Sequence, residues 1–225
     1  MEQTAAQKAN EVLRSLPQGV TLVAVSKYHP AELIRQVYDE SGLRIFAESH
    51  AQELKQKHEI LPKDIQWHFI GHLQRNKVKS ITPYVSLIHS VDSPRLLAEI
   101  NKQALAAGRR MDCLLQLHVA QEETKFGFAP QECIEYLDTG EWRQMSGVRL
   151  RGMMCMASNV TDEQQIAREF DTAWETFRQA SEAYFDGCGY FDTRSWGMSH
   201  DYTIALRHGS NMVRVGTAIF GPRQY

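Results

Sequence analysis

Short apolar runs alternate with longer amphipathic ones along almost the whole chain. The apolar runs cover residues 20–26 (VTLVAVS), 43–49 (LRIFAES), 65–71 (IQWHFIG), 85–91 (VSLIHSV), 111–119 (MDCLLQLHV) and 148–157 (VRLRGMMCMA). Two weaker ones follow near 190–198 and at 211–216 (NMVRVG). They are nearly continuous in hydrophobicity, which suits strands covered on both faces. Between them the pattern shifts to a helical period, as at 31–41, 94–107 and 162–184. Thr161 followed by Asp162 and Gln164 predicts a capping box that opens the last of these. The N-terminal stretch MEQTAAQKANEVLRSLPQG predicts an amphipathic helix with Val12, Leu13 and Leu16 inward.

Strand–helix alternation implies parallel strands joined by right-handed crossovers. About eight such units, with no long linker, low-complexity tract or repeat period, predict an α/β fold: a single-domain (β/α)8 TIM barrel over 1–225. The competing arrangement is an open doubly wound sheet. That fold normally puts a glycine-rich phosphate turn after its first strand, where this chain has Ser26-Lys27-Tyr28-His29-Pro30.

Composition narrows the picture further. Hydrophobic residues make up 43% of the 225, enough to bury a sizeable core, so the chain is not disordered by composition. The formal net charge is −2, from 25 basic and 27 acidic residues, which suggests neither a nucleic-acid footprint nor a polybasic membrane patch. No run matches a signal peptide or reaches the length of a membrane span. Cys113, Cys133, Cys155 and Cys188 are scattered without a C-x-x-C pair, so reduced thiols in a cytoplasmic protein are expected, with Cys113 and Cys155 as buried fillers.

Two segments carry candidate chemistry. Lys27 stands directly beyond the first strand, which in a barrel places it at the C-terminal mouth where βα-loops build sites. A lysine beside an apolar strand there can be desolvated enough to lose its proton and attack an aldehyde; the plainer reading is a solvated lysine at a strand end. Near the other end, Ser195-Trp196-Gly197-Met198-Ser199 precedes Gly209-Ser210-Asn211-Met212-Val213-Arg214-Val215-Gly216-Thr217. Glycines and small hydroxyls at strand-to-helix turns let backbone N–H groups approach a phosphate, which makes Ser199, Gly216 and Thr217 a candidate cradle. Arg214 lies in an apolar strand, an expensive place for an unpartnered charge. Directed inward it can reach a cofactor ring nitrogen; otherwise this is an ordinary turn and last strand, with Arg214 paired to a carboxylate.

In order, the blocks AVSKYHP, FAESHAQE, WHFIGHLQRNK, IHSVD, EETKFGF, LRGMMCMA and WGMSHDYTIALRHGSNMVRVGTAIFG resemble the YggS/PROSC-like family, the pyridoxal phosphate (PLP) homeostasis proteins. The match runs from about residue 20 to 223. The resemblance implies a fold-type III PLP barrel, like the N-terminal domain of alanine racemase, with PLP as cofactor. It implies a Schiff base on Lys27, Arg214 facing the pyridine nitrogen, and Ser199, Gly216 and Thr217 on the phosphate, with Met198 and Ser49 also at the cofactor. Three positions depart from the family's commoner pattern. Ser49 replaces an asparagine, Trp196 a methionine and His118 an asparagine, which puts contacts at Ser49 and His118 in doubt.

Other polar residues have plainer readings. His68 and His72 are four apart, but Gly71 and the strand before it argue against a shared helix face, and without H-E-x-x-H no metal site is expected. His68 either faces the cofactor or is packed. The basic stretch Gln74 to Lys79 reads as a solvated helix face, and Met153, Met154 and Met156 as core, one of them against the cofactor ring. The favoured function is carriage and homeostasis of PLP with little or no turnover, with Lys27 the residue to act if any does. Apo PLP-dependent enzymes are the expected partners, and nucleic acid and membrane are not; the protein is expected to be a cytoplasmic monomer. The alternatives are a PLP-dependent racemase or decarboxylase and an unliganded barrel scaffold. The scaffold leaves Lys27 and Arg214 unexplained. Racemization needs a second acid/base opposite the lysine. In the racemases a further β-domain supplies it, and only Gly221-Pro222-Arg223-Gln224-Tyr225 follow the expected barrel.

Overall fold

The computed structural model describes residues 3–122 and 126–222. Glu123, Thr124 and Lys125 of the EETKFGF block, and Arg223 to Tyr225, lie outside them. Eight parallel strands close in chain order: β1 (Thr21–Val25), β2 (Ile45–Glu48), β3 (Gln66–Phe69), β4 (Val85–Val91), β5 (Met111–Leu117), β6 (Val148–Cys155), β7 (Thr193–Met198) and β8 (Met212–Val215). Closure is made by β1 against β8, with Thr21 opposite Met212 and Ala24 opposite Val215. The fold is therefore the (β/α)8 barrel, and the open sheet is excluded.

The helices between strands are α2 (Ala31–Ser41), α3 (Ala51–Ile60), α4 (Arg75–Ile81), α5 (Pro94–Ala106), α6 (Pro130–Asp138), α7 (Glu163–Tyr184) and α8 (Tyr202–Arg207). Before them comes α1 (Ala5–Ser15), and α9 (Thr217–Phe220) follows β8. In α1, Val12 is buried as expected, but Ala5, Ala6 and Ala9 fill the rest of its inner face, while Leu13 and Leu16 are only partly buried. The cap of α7 lies one residue later than the capping-box pattern suggests. Asp162, not Thr161, is the N-cap, and its carboxylate accepts from the Gln164 and Gln165 N–H groups. An aspartate is an equally good cap, and it leaves Gln164 inside the first turn.

Alternation along each strand divides two cores. Leu22, Ala24, Phe46, Trp67 and Phe69 pack outward under the helices. Val23, Val25 and Ala47 form one cluster inside the barrel, and Leu87, Leu114 and Met154 form another. Both faces being buried is why the strands read as unbroken apolar runs. The basic stretch forms α4 with Arg75, Lys77 and Lys79 exposed and Val78 buried, the solvated face its pattern suggests. Among the described residues no helix is long and apolar enough to cross a membrane, and no group of three or more His, Cys, Asp or Glu is placed to hold a metal.

Candidate functional site

A cavity of about 380 Å³ opens where β1, β6, β7 and β8 end. Lys27, Met198, Ser199, Arg214, Gly216 and Thr217 line it together, so six of the seven residues expected at a site converge from opposite ends of the chain. The closed order explains this: β1 and β8 are hydrogen-bonded neighbours, so the turns after them meet. Ser49 is the predicted residue the cavity leaves out. Its hydroxyl is 3.2 Å from His50 Nδ1, and its backbone packs against Gly71 so closely that a Cβ there would lie 2.1 Å from the Ser49 carbonyl oxygen.

Arg214 is buried and held by uncharged oxygens. Its guanidinium donates to the Ser195 carbonyl (2.6 Å), the Ser195 hydroxyl (2.8 Å) and the Cys155 carbonyl (2.8 Å). The carboxylate partner of the plainer reading is not what orients it. Burial pushes its pKa down, partly offset by Cys155 and Asp201. An arginine still keeps its proton at ordinary pH.

A polar chain runs from this arginine through the barrel interior. His89 Nδ1 is 3.0 Å from Ser195 Oγ, and His89 Nε2 is 2.9 Å from His68 Nδ1. β4 and β7 are not neighbours in the sheet, so the His89–Ser195 contact crosses the barrel. Since Arg214 only donates, the Ser195 hydroxyl satisfies its own hydrogen by donating to His89 Nδ1, and His89 Nε2–H then donates to His68. Burial lowers both histidines, His68 to about 3 and His89 well below its usual value. Both are therefore neutral at ordinary pH. His68 is thus packed beneath the site rather than lining it.

At the small-residue corner, the Gly216 N–H donates to Ser199 Oγ at 3.0 Å. A Cβ on Gly216 would meet the Val25 carbonyl oxygen at 3.0 Å and Val25 Cβ at 3.3 Å. Gly197 (φ +94°) makes the corner after β7 possible, because a side chain there would strike Tyr202 and Ala205. Asp201 Oδ1 accepts from the Met198 N–H and fixes the same corner. Of the three strand-end methionines, Met156 reaches the cavity, Met154 packs below it and Met153 faces the helices. Trp196 is buried outward, its indole donating to the His208 carbonyl, and His118 Nε2 meets the Glu122 carbonyl.

Residue patterns did not single out His29, Asn159 and His200, which also line the cavity, or His89 and Ser195 beneath it. For His89 and Ser195 a signal existed, since each is a polar residue set in a buried strand. Glu48, Glu53 and Lys57 were also missed. They form a charge cluster behind Lys27, with Glu48 and Lys57 buried and Glu53 partly exposed, and only the four-residue spacing of Glu53 and Lys57 hinted at it. Burial is the main force on Glu48, raising its pKa to about 7 against the lowering pull of Lys57.

Comparison with known proteins fits this geometry. The profile of the alanine racemase N-terminal domain matches residues 3–224. The pyridoxal phosphate homeostasis protein of Aquifex aeolicus is 35% identical over 205 residues, covering 91% of this chain and 87% of its own. The protein of the same name in Escherichia coli K12 is 35% identical over 217 residues, covering 93% and 88%. Among solved structures, PipY of Synechococcus elongatus superposes with a TM-score of 0.89 without PLP (32% identity, 97% of this chain and all of that one). With PLP bound it superposes at 0.85 (31% identity, covering 96% and 100%). Clostridium difficile alanine racemase, at 16% identity and a TM-score of 0.74 over 99% of this chain and 60% of its own, shares the fold. The chain belongs to the pyridoxal phosphate homeostasis protein family, within the wider family of the alanine racemase N-terminal domain.

Proposed function

We propose that this chain is a carrier of pyridoxal 5′-phosphate in PLP homeostasis, holding the cofactor through a Schiff base on Lys27 and turning over little or no substrate. The observation that carries the reading is the convergence of a lysine, a buried arginine and a small-residue corner on one cavity. Its volume falls within the roughly 300–1,000 Å³ of small-molecule sites. The corner fits a phosphate: a Cβ on Gly216 would fit only tightly, 3.0 Å from the Val25 carbonyl oxygen, and Ser199 and Thr217 stand beside it with donors suited to an anion. When bound, PLP supplies an aldehyde that takes up primary amines and a ring that accepts electrons. Arg214, directed at the ring nitrogen, keeps its own proton and leaves that nitrogen unprotonated, which makes the ring a weak electron sink. This suits holding the cofactor better than forming carbanions.

The rest of the reading follows from the same features. One domain spans 1–225, and Lys27, Met198, Ser199, Arg214, Gly216 and Thr217 are its cofactor contacts; Ser49, also expected at the cofactor, is not among the residues that line the cavity. The recipients of the cofactor are apo PLP-dependent enzymes. None of the four cysteines is in a disulfide and three of them are buried, which supports a reducing compartment, and we place the protein in the cytoplasm as a monomer.

The test has two arms. With PLP the protein should show an absorbance band near the visible edge, lost in Lys27→Ala, and borohydride should label Lys27. Incubated with L-alanine in deuterated water, the loaded protein should leave the amino acid's handedness unchanged. Rapid multi-turnover racemization would falsify the carrier reading, and label on another lysine would move the attachment point.

A further inference from the structure

The turn bearing Lys27 is fastened on both sides of that residue to one helix. On the N-terminal side, Lys57 Nζ donates to the Ser26 carbonyl at 2.8 Å, and the Ser26 hydroxyl donates to Glu48 Oε1 at 2.6 Å. On the C-terminal side, the Tyr28 N–H donates to Glu53 Oε1 at 2.7 Å. Lys57 joins the two halves by donating to Glu48 Oε1 and to Glu53 Oε1, both at 2.7 Å. Glu48 is fully buried and the Lys57 side chain is 7% exposed, so water screens this cluster little.

Between these anchors the backbone takes an unusual shape. Tyr28 has φ +66°, the only positive φ at a non-glycine residue among those described. That conformation costs an L-residue about 1–2 kcal/mol and persists where its surroundings over-determine it. The Glu53 acceptor on the Tyr28 N–H and the Lys57 donor on the Ser26 carbonyl are such surroundings. A turn held this way sets the direction in which the Lys27 side chain leaves the backbone, and Lys27 lines the cavity.

We propose that Glu48, Glu53 and Lys57 are positioning residues: they lock the Ser26–Tyr28 turn so that the Lys27 amine meets an aldehyde in the cavity, and they keep Lys57 from competing for it. The inference rests on the Lys27 reading above. In that reaction the Lys27 nitrogen forms a C=N bond to the aldehyde carbon; the carbonyl oxygen leaves as water with two protons. The step needs a free lone pair. Lys57 has three acceptors for the three N–H donors of its ammonium group, so none is available there.

The experiment separates attachment from binding by pairing PLP with 4-deoxypyridoxine 5′-phosphate, which has the ring and phosphate but no aldehyde. In the full-length protein, Glu53→Ala should slow appearance of the PLP band by about tenfold or more, because misplacing a reacting group by an ångström is worth that much. Affinity for the deoxy analogue should stay within about threefold of the native value, since the phosphate and ring contacts lie elsewhere. Glu53→Gln keeps an oxygen for the Tyr28 N–H and should restore most of the rate. Should Glu48→Gln/Lys57→Met, which removes both buried charges together, fail to fold, Glu53→Ala and its rescue decide alone, since Glu53 is partly exposed. Equal loss for both ligands, or an unchanged attachment rate in Glu53→Ala, overturns the positioning role, as does borohydride label on Lys57 in the native protein. Unchanged attachment in Lys27→Ala overturns the Lys27 reading instead, which keeps the two failures apart.

Discussion

At the scale of single residues, the site depends on what glycine lacks as much as on what lysine and arginine supply. Gly216 sits where a Cβ would press on the Val25 carbonyl at 3.0 Å. Gly216→Leu should therefore push the corner away from the cavity and weaken PLP binding by about tenfold or more, the order expected when charge-assisted anion contacts are lost. Pyridoxal, which has no phosphate, should lose much less. Titration of both ligands checks this, and equal losses would remove the phosphate from that corner. The same residue had a legible signal, because a glycine before a threonine just past an apolar strand is a phosphate pattern. Ser49 shows the opposite case. The family resemblance put a contact at Ser49, where the family's asparagine is replaced; its backbone packs against Gly71 and its hydroxyl lies 3.2 Å from His50 Nδ1, which no one-residue pattern records.

At the scale of elements, strand positions were readable because each apolar run had to fill both faces of the barrel wall. The run at 20–26 contains Thr21–Val25, and that at 211–216 contains Met212–Val215. The first run overshoots its strand because Ser26, just beyond it, is also fully buried, bonded to Ala47 and Glu48 of β2. Helix ends were less legible, since several side chains near α7 are competent caps. Asp162 is the one used, accepting from Gln164 N–H at 2.9 Å and Gln165 N–H at 3.2 Å. Asp162→Ala should cost about 1 kcal/mol. In a chain of this size that lowers the melting temperature by about 2–4 °C. Thr161→Ala should leave it nearly unchanged, and a larger effect at Thr161 than at Asp162 would place the cap where the simple pattern had it.

At the scale of the whole molecule, the neutral histidines inside the barrel make acid stability a test of the fold. His68 titrates at about 3 in the folded chain against an ordinary 6.5. The unfolded chain therefore takes up its proton first, and this contribution, present above pH 6.5, is lost as pH falls toward 3. The shift is worth about 5 kcal/mol. His89, lowered by the same burial, acts in the same direction. Glu48 opposes them, because its folded pKa of about 7 against 4.5 makes the native state the better proton acceptor. Its term, about 3 kcal/mol, favours the fold as pH falls from 7 to 4.5 and is then spent. Stability should thus decline gently from pH 7 to about 4.5 and steeply below it. Urea unfolding along that range checks the sign, and a protein as stable at about pH 4 as at pH 7 would contradict neutral burial of the pair.

Local pattern alone determined the parallel strands and the barrel, because burial on two faces restricts which residue types fit, and it put Lys27 and the small-residue corner at strand ends while leaving their plainer readings open. Tertiary structure decided what local pattern does not encode. Closure of β8 onto β1 brought Gly216 beside Val25 and Lys27 into Arg214's cavity, though nearly two hundred residues separate them along the chain. The crossing of the barrel joined His89 to Ser195, and the end of β2 with α3 set Glu48, Glu53 and Lys57 around the Lys27 turn. Each is a pairing of polar groups distant in sequence, and the partner of a buried donor is chosen only when the chain has closed around it.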